Sequence, residues 1–359
     1  MNEEEIKNFQ QDLLSWYHKN KKNLPWRENQ DAYKVWLSEI MSQQTQVETV
    51  IPYYQRFLRN YPTISDLAQA KDEELLKTWE GLGYYSRARN LKFAASQIMN
   101  EFSGEFPQSL EEIRSLKGIG PYSAASIASI CFNLPEPAID GNLFRVTSRL
   151  FEISDDISKT TSRKNFDKKL REIISHSEAG NFNQALMDLG STICKPKSPK
   201  CEICPLAKYC QAYKNQRVEN FPVKTKKIKQ EKHYFQAFVL KQGEKYLMAQ
   251  RQSTGLLASM WTFPLQEIEE KDFDNLSKIR VIPEVFNNQL IKLEKVGKVQ
   301  QIYSHQKWII KVIYCQLEGQ TVQEACLYNQ RWLSKEELKE YALAKAQIKM
   351  FRLLQDFGK

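Results

Sequence analysis

The stretch from Leu116 to Asn142 constrains this chain's fold more than any other. It reads Leu-Lys-Gly-Ile-Gly-Pro-Tyr over 116–122, continues through an apolar helix-like run, and ends in Ala-Ile-Asp-Gly-Asn over 138–142. Gly118 and Gly120 sit between helix-like segments at 108–116 and 121–132. Pro121 suits a first helical position, where its missing N–H costs nothing. A tight turn at a helix N-terminus directs backbone N–H groups outward with the positive dipole end behind them, an anion site that reads no base. Asp140 then precedes Gly141 and Asn142 where the next apolar run begins. Taken alone, a Gly-x-Gly step is usually a plain turn, and an Asp-Gly-Asn step a plain cap.

The rest of the chain adds weight. Its 359 residues suffice for two domains with cores. The net charge of +9 fits an acidic polymer partner, so the hairpin is read as gripping a DNA phosphate and setting a sugar beside Asp140. No stretch approaches the roughly eighteen apolar residues of a membrane span, and the start, Met-Asn-Glu-Glu-Glu, lacks a signal-peptide core. A soluble cytoplasmic protein is expected, nucleoid-associated if bacterial.

Up to about residue 215 the apolar periodicity is almost wholly helical, beginning with Ile6, Phe9, Leu13 and Trp16. A second glycine-rich turn, Gly81-Leu82-Gly83-Tyr84, precedes another helix at 87–99. Residues 222–233 carry five lysines and little apolar content, which reads as a solvated linker. Beyond it the pattern turns to strands at 234–240, 246–250 and 306–316, and Ser334 with Glu337 forms a capping box expected to open a C-terminal helix. The expected division is an all-α domain over 1–215, a basic linker over 216–233 and an α+β domain over 234–359.

Of seven cysteines, Cys131, Cys315 and Cys326 are scattered and expected as buried packing residues, while Cys194, Cys201, Cys204 and Cys210 crowd one loop, 194–210. Four thiolates in so short a loop fit structural zinc or an iron–sulfur cluster. Lys195, Lys197, Lys200 and Lys208 lie within that loop, where they can neutralise DNA phosphates without reading sequence. Hydrolysis of a glycosidic bond uses two carboxyl groups, one to protonate the leaving group and one to face the positive sugar, and two residues here fit those roles. Asp140 is the candidate carboxylate, ionised at a helix N-terminus. Glu39, between Val35-Trp36-Leu37 and Ile40-Met41, is the candidate acid, since an apolar setting keeps a carboxyl protonated.

Leu116–Tyr122 followed by Asp140 resembles the helix-hairpin-helix and Gly/Pro/Asp motif of base-excision DNA glycosylases. The cysteine spacing is similar to that of glycosylases related to endonuclease III, and implies a [4Fe–4S] cluster. Trp26-Arg27 and Ser38–Val47 closely resemble the base-pocket motifs of MutY-type adenine DNA glycosylases, except that Ser42 stands where leucine is common. The resemblance implies a mainly α helix-hairpin-helix domain with an iron–sulfur loop, plus a smaller α+β Nudix-like domain. It further implies that Glu39 protonates adenine, that Asp140 stabilises the sugar, that Asn142 positions Asp140 or water, and that Trp26, Arg27 and Gln184 line the pocket. Tyr122 stands where bifunctional relatives place a Schiff-base lysine, so strand nicking is expected to be weak or absent. Lys117, Gly118 and Gly120 are expected on the phosphate backbone. Gln44 with Leu82 and Tyr84 is the expected wedge into the stack from which the base is flipped. Gly255–Pro264 resembles the strand before a Nudix box, but the box itself is missing. Tyr303-Ser304-His305 resembles the Phe-Ser-His loop that reads 8-oxoguanine in the family, with tyrosine in place of phenylalanine keeping the ring. The partner implied is duplex DNA with adenine opposite 8-oxoguanine or guanine, bound by a monomer. The competing readings are an endonuclease III-like glycosylase-lyase for damaged pyrimidines and a non-catalytic DNA-binding protein.

Overall fold

Helices begin where the sequence caps them. Asn2 accepts from the Glu5 N–H at 2.8 Å while Glu5 Oε2 accepts from the Asn2 N–H at 2.9 Å, a reciprocal box that opens α1 (Glu3–Asn20). The computed structural model describes residues 1–225, 230–274, 290–303, 306–318 and 329–357. After α1 come α2 (Ala32–Ser42), α3 (Val47–Asn60), α4 (Ile64–Gln69), α5 (Asp72–Thr78), α6 (Ser86–Glu101), α7 (Leu110–Ser115) and α8 (Pro121–Phe132). They are followed by α9 (Gly141–Phe151), α10 (Arg163–Arg171), α11 (Ala179–Thr192) and the short α12 (Gln211–Lys214). The contacts divide the chain into two compact units, residues 1–69 with 90–226, and residues 70–89 with 227–359.

In the first unit α11 packs against α1, α8 and α9, and α2 lies along α8. Phe9 and Leu13 of α1, Leu143 and Val146 of α9, and Phe182, Leu186 and Leu189 of α11 form its core. Two glycines set close approaches. Gly118 has φ +83°, and a Cβ there would lie 2.7 Å from Asn90 Cβ, so the turn before α8 admits no other residue without strain. At Gly190 a Cβ would lie 2.6 Å from Asn142 Cβ, so the bare backbone of α11 is what lets Asn142 sit at the start of α9.

The stretch read as the start of the linker is partly folded onto this unit. Arg149 Nε donates to the carbonyls of Val218 and Phe221, each at 3.1 Å, and the Ile157 N–H donates to Val223 O at 3.0 Å. Of the lysine-rich stretch, residues 226–229 lie outside the described residues.

The second unit is built on β1 (Glu231–Gln242), β2 (Lys245–Gln250), β3 (Trp261–Thr262), β4 (Leu265–Ile268), β5 (Leu290–Tyr303), β6 (Gln306–Glu318) and β7 (Gln330–Ser334). The sheet order is β3-β2-β1-β6-β5, with β4 on β1 and β7 on β2. β1 and β6 run parallel, pairing Glu231 with Gln306 through Lys241 with Gln316, and the other pairs are antiparallel. Helix α13 (Lys345–Phe357) packs on β5 and brings Met350 into a core with Phe235, Phe263, Trp308 and Ile310. Within this unit Lys77 donates to Tyr341 O at 3.2 Å and Arg89 to Ala258 O at 2.8 Å.

Three expectations change here. The Ser334–Glu337 box forms, with the Glu337 N–H donating to Ser334 Oγ at 3.1 Å, but it opens a 3-10 turn over Glu337–Glu340, and the α-helix starts only at Lys345. In the stretch read as a strand before a Nudix box, only Trp261–Thr262 is paired, as β3. Cys131 is half-buried rather than a core residue. Cys326 and the Cys315 side chain lie outside the described residues.

Candidate active site

Helix α2 buries Tyr33, Val35, Trp36, Leu37, Ser38, Ile40 and Met41, so it is apolar nearly all round and is enclosed by its neighbours. Glu39 lies on this helix, and its Oε2 is shut off from solvent with no partner of hydrogen-bond geometry. Burial pushes its carboxyl up to about 6, against smaller lowering effects from the nearby Tyr122 and Ser126 hydroxyls of α8 and from Arg27, while Asp140 raises it further. The two acidic groups, a hundred residues apart in sequence, are therefore near enough for one charge to act on the other.

Asp140 is the N-cap of α9. It accepts from the Leu143 N–H at 2.7 Å through Oδ1 and from Asn142 Nδ2 at 2.8 Å through Oδ2. Cap and candidate catalytic group are thus the same side chain. The helix terminus does not decide its ionisation as the sequence implied. Burial outweighs the hydrogen bonds from Leu143 and Asn142 and the Arg145 charge, and its carboxyl lies above the ordinary value. Asn142 Oδ1 in turn accepts from Arg145 Nη2 at 2.8 Å, and Arg145 Nε donates to Cys194 O at 2.7 Å. A chain of hydrogen bonds so connects Asp140 to the cysteine loop.

A cavity of about 420 Å³ opens beside Glu39 and is lined by Trp26, Arg27, Gln184, Tyr17, Asn181 and Met187 among others. Leu24-Pro25-Trp26-Arg27 forms a 3-10 turn with Pro25 at its first position, anchored by the buried Leu24, and Trp26 packs edge-on against Tyr54 at 5.2 Å. Gln184 reaches the cavity from α11. Tyr122 is half-buried, its hydroxyl 3.9 Å from Met187 Sδ, and burial holds its phenol far above the ordinary range. Burial keeps Tyr122 neutral, and its side chain carries no amine. Ser42 is half-buried at the end of α2.

The hairpin carries fewer free donors than its sequence implied. The Lys117 N–H donates to Gln97 Oε1 at 2.8 Å and the Ile119 N–H to Leu116 O at 3.1 Å. Lys117, Gly118 and Gly120 are exposed, and a Cβ on Gly120 would meet nothing. Gln44 is exposed with φ +56°, and Tyr84, 43% exposed, has φ +47°. Both are left-handed conformations that non-glycine residues seldom adopt. Leu82 is buried and presents no surface for a wedge. Tyr303 packs its ring on Trp308 at 5.0 Å, and Ser304 and His305 lie outside the described residues.

Cys194, Cys201, Cys204 and Cys210 are unpaired thiols lining one apolar pocket with Leu150, Leu189 and Leu206. Among the described residues no group of three His, Cys, Asp or Glu is arranged about a single metal ion. Burial pushes the Cys204 thiol up to about 12, so a thiolate forms there only against metal charge. Arg149 adds positive charge, its Nη1 3.4 Å from Cys194 Sγ. Lys195 and Lys197 are exposed on this loop.

Residues 37–172 match the HhH-GPD superfamily of base excision DNA repair proteins, 194–210 the iron-sulfur binding domain of endonuclease III, and 236–353 the NUDIX domain. Adenine DNA glycosylase of Rattus norvegicus is 33% identical over 97% of this chain and 78% of its own length. The chain belongs to the adenine DNA glycosylases. The Homo sapiens adenine DNA glycosylase is likewise 33% identical, over 98% of this chain and 74% of its own. A solved thermostable thymine-DNA glycosylase superposes with a TM-score of 0.54 at 27% identity, covering 59% of this chain and 98% of that one. With its family assigned, the cysteine pocket of this adenine DNA glycosylase is the seat of a [4Fe–4S] cluster. No described helix is long and apolar enough to cross a membrane.

Sequence reasoning missed Asp188, Tyr17, Ser126 and Arg145. Asp188 follows Gln184 by one helical turn on α11, a spacing that shares a face. The others carried no signal beyond being polar on helices.

Proposed function

We propose that this chain excises adenine mispaired with 8-oxoguanine or guanine, leaving an abasic site and an intact strand. The observation that carries the reading is the pairing of a buried carboxyl titrating at about 6 with a second carboxyl whose two oxygens are fixed by Leu143 and Asn142. Near neutral pH Glu39 retains enough of its proton to give to a purine ring nitrogen, which converts the base into a neutral leaving group. Asp140, as carboxylate, faces the positive charge that develops on the sugar. Trp26 and Gln184 offer an aromatic face and an amide to the flipped base, and Arg27 a charged donor. Tyr122 lacks the amine that a Schiff base needs, which is why the strand stays uncut. Cys194, Cys201, Cys204 and Cys210 would hold the cluster, and the loop anchored by them would present Lys195 and Lys197 to backbone phosphates in register. Gln44 and Tyr84 fill the gap left by the base, and the segment Tyr303-Ser304-His305 reads the opposite base. The division into 1–215, a linker over 216–233 and 234–359 belongs to the same proposal.

Single-turnover base release decides it, on duplexes with adenine opposite 8-oxoguanine, guanine or thymine. The expected order is 8-oxoguanine and guanine far above thymine, with strand breaks only after alkali. Breaks without alkali, or release of oxidised pyrimidines instead, overturn the reading.

A further inference from the structure

Behind Arg27 of the base pocket stands a carboxylate, Asp188, that the excision chemistry does not use. Arg27 meets Asp188 in a two-point fork, Nη1 to Oδ2 at 2.8 Å and Nη2 to Oδ1 at 3.0 Å, with side chains only 14% and 11% exposed. The guanidinium lies over the Tyr17 ring at 5.7 Å. Asp188 comes from α11, Tyr17 from α1 and Arg27 from the 3-10 turn, so three separate elements converge on one cation. A fork this well matched fixes the orientation of a planar group as well as its charge.

Two demands conflict at this point. A guanidinium in the pocket wall supplies rigid donors to a base edge, but a free cation beside Glu39 strips the proton that a general acid must hold. We infer that Asp188 is a positioning residue of the base pocket, holding Arg27 in a fork against Tyr17 and cancelling its charge beside Glu39. This rests on the proposed role of Glu39 as the acid. The other groups that face Glu39 are Tyr122, Ser126 and the Cys131 thiol, held neutral by burial, from α8, and Asp140 at the start of α9, and Lys21 and Glu178 stand elsewhere in the cavity wall. Helix α3, also packed on α2, contributes the Tyr54 ring against Trp26. Arg27 is the cation among the groups acting most strongly on the carboxyl, and it lowers its pKa. Asp188 is the partner that most offsets Arg27.

The full-length, cluster-containing protein tests this with two opposed substitutions. Asp188→Asn keeps the shape and removes the countercharge, so the midpoint at which base release falls with rising pH is expected to move about one unit toward acid. Arg27→Gln leaves Asp188 unbalanced and is expected to move the same midpoint toward alkali. Loss of packing alone lowers release at every pH and moves neither midpoint. The Glu39 carboxyl is also titrated without DNA, by NMR on protein with 13C-labelled glutamate, its signal assigned by its loss in Glu39→Gln. Midpoints that stay in place, or move together in one direction, overturn the inference. If Asp188→Asn does not fold, an unmoved or acid-shifted midpoint in Arg27→Gln overturns it alone. A wild-type protein that releases no adenine overturns the proposed function, whereas the titration without DNA still reads the charge coupling.

Discussion

At the scale of single residues, the same burial that makes Glu39 useful makes it costly. Its carboxyl holds its proton to about 6, whereas the ordinary glutamate value is 4.5. Between these values the folded protein binds more protons than the unfolded chain, so stability falls as pH rises through that window and stays lower above it, by about 2 kcal/mol. Glu39→Gln is therefore expected to raise the unfolding free energy at pH 8 by up to about 2 kcal/mol while slowing base release roughly 10²- to 10⁴-fold. Urea denaturation at pH 5 and pH 8, beside single-turnover release, checks both halves. Asp140→Asn separates chemistry from capping. An asparagine still accepts from the Leu143 N–H but turns its NH2 toward Asn142 Nδ2, so stability should fall by only about 1–2 kcal/mol while release is lost. A large loss of stability would assign Asp140 to the fold instead. Asp140 was legible because a cap and a turn are local. The raised carboxyl of Glu39 was legible only as an expectation, since nothing near residue 39 in the chain shows what α8 and α9 place around it.

Between elements, the decisive contacts are the close approaches of α11 to α9 and of α9 to the cysteine loop. Gly190→Ala would push a Cβ against Asn142, whose amide holds Asp140 Oδ2. Release is expected to slow at least about tenfold, by misplacing the carboxylate, with a stability loss of about 1–3 kcal/mol from overpacking. Thermal melting and single-turnover rates on the same preparation test it, and wild-type release at reduced stability would show that Asn142 does not transmit the shift. Arg149 is the other tie. Buried to 2% exposure, it donates to the carbonyls of Lys195, Pro196, Val218 and Phe221 and approaches Cys194 Sγ. Arg149→Met leaves those acceptors dry and should cost about 3 kcal/mol or more. The visible absorbance of the cluster should bleach faster under chelator, and bleaching at the wild-type rate would place the loop's stiffness elsewhere.

Across the whole molecule, the net charge of +9 and the exposed Lys195 and Lys197 make DNA binding an electrostatic event first. Lys195→Ala and Lys197→Ala are expected to weaken binding equally for every opposing base, each reducing the salt dependence of log Kd by about one phosphate's worth. Binding titrations from 50 to 200 mM salt measure it, and a loss confined to 8-oxoguanine duplexes would make these lysines readers rather than anchors. What the sequence determined by itself was everything encoded within a few consecutive residues: the Gly118 turn, the Pro121 helix start, the Asp140 cap and the cysteine spacing. Backbone sterics and ligand spacing act over that range, and the resemblance these residues carry is what implied the fold of the first unit. Only the tertiary structure decided which polar groups share the base pocket, that Arg27 meets a carboxylate 161 positions away, that residues 70–89 pack with the second unit, and that β1 pairs in parallel with β6. Burial and long-range pairing set the protonation of an acid and the register of a sheet, and neither is written in the local pattern of a chain.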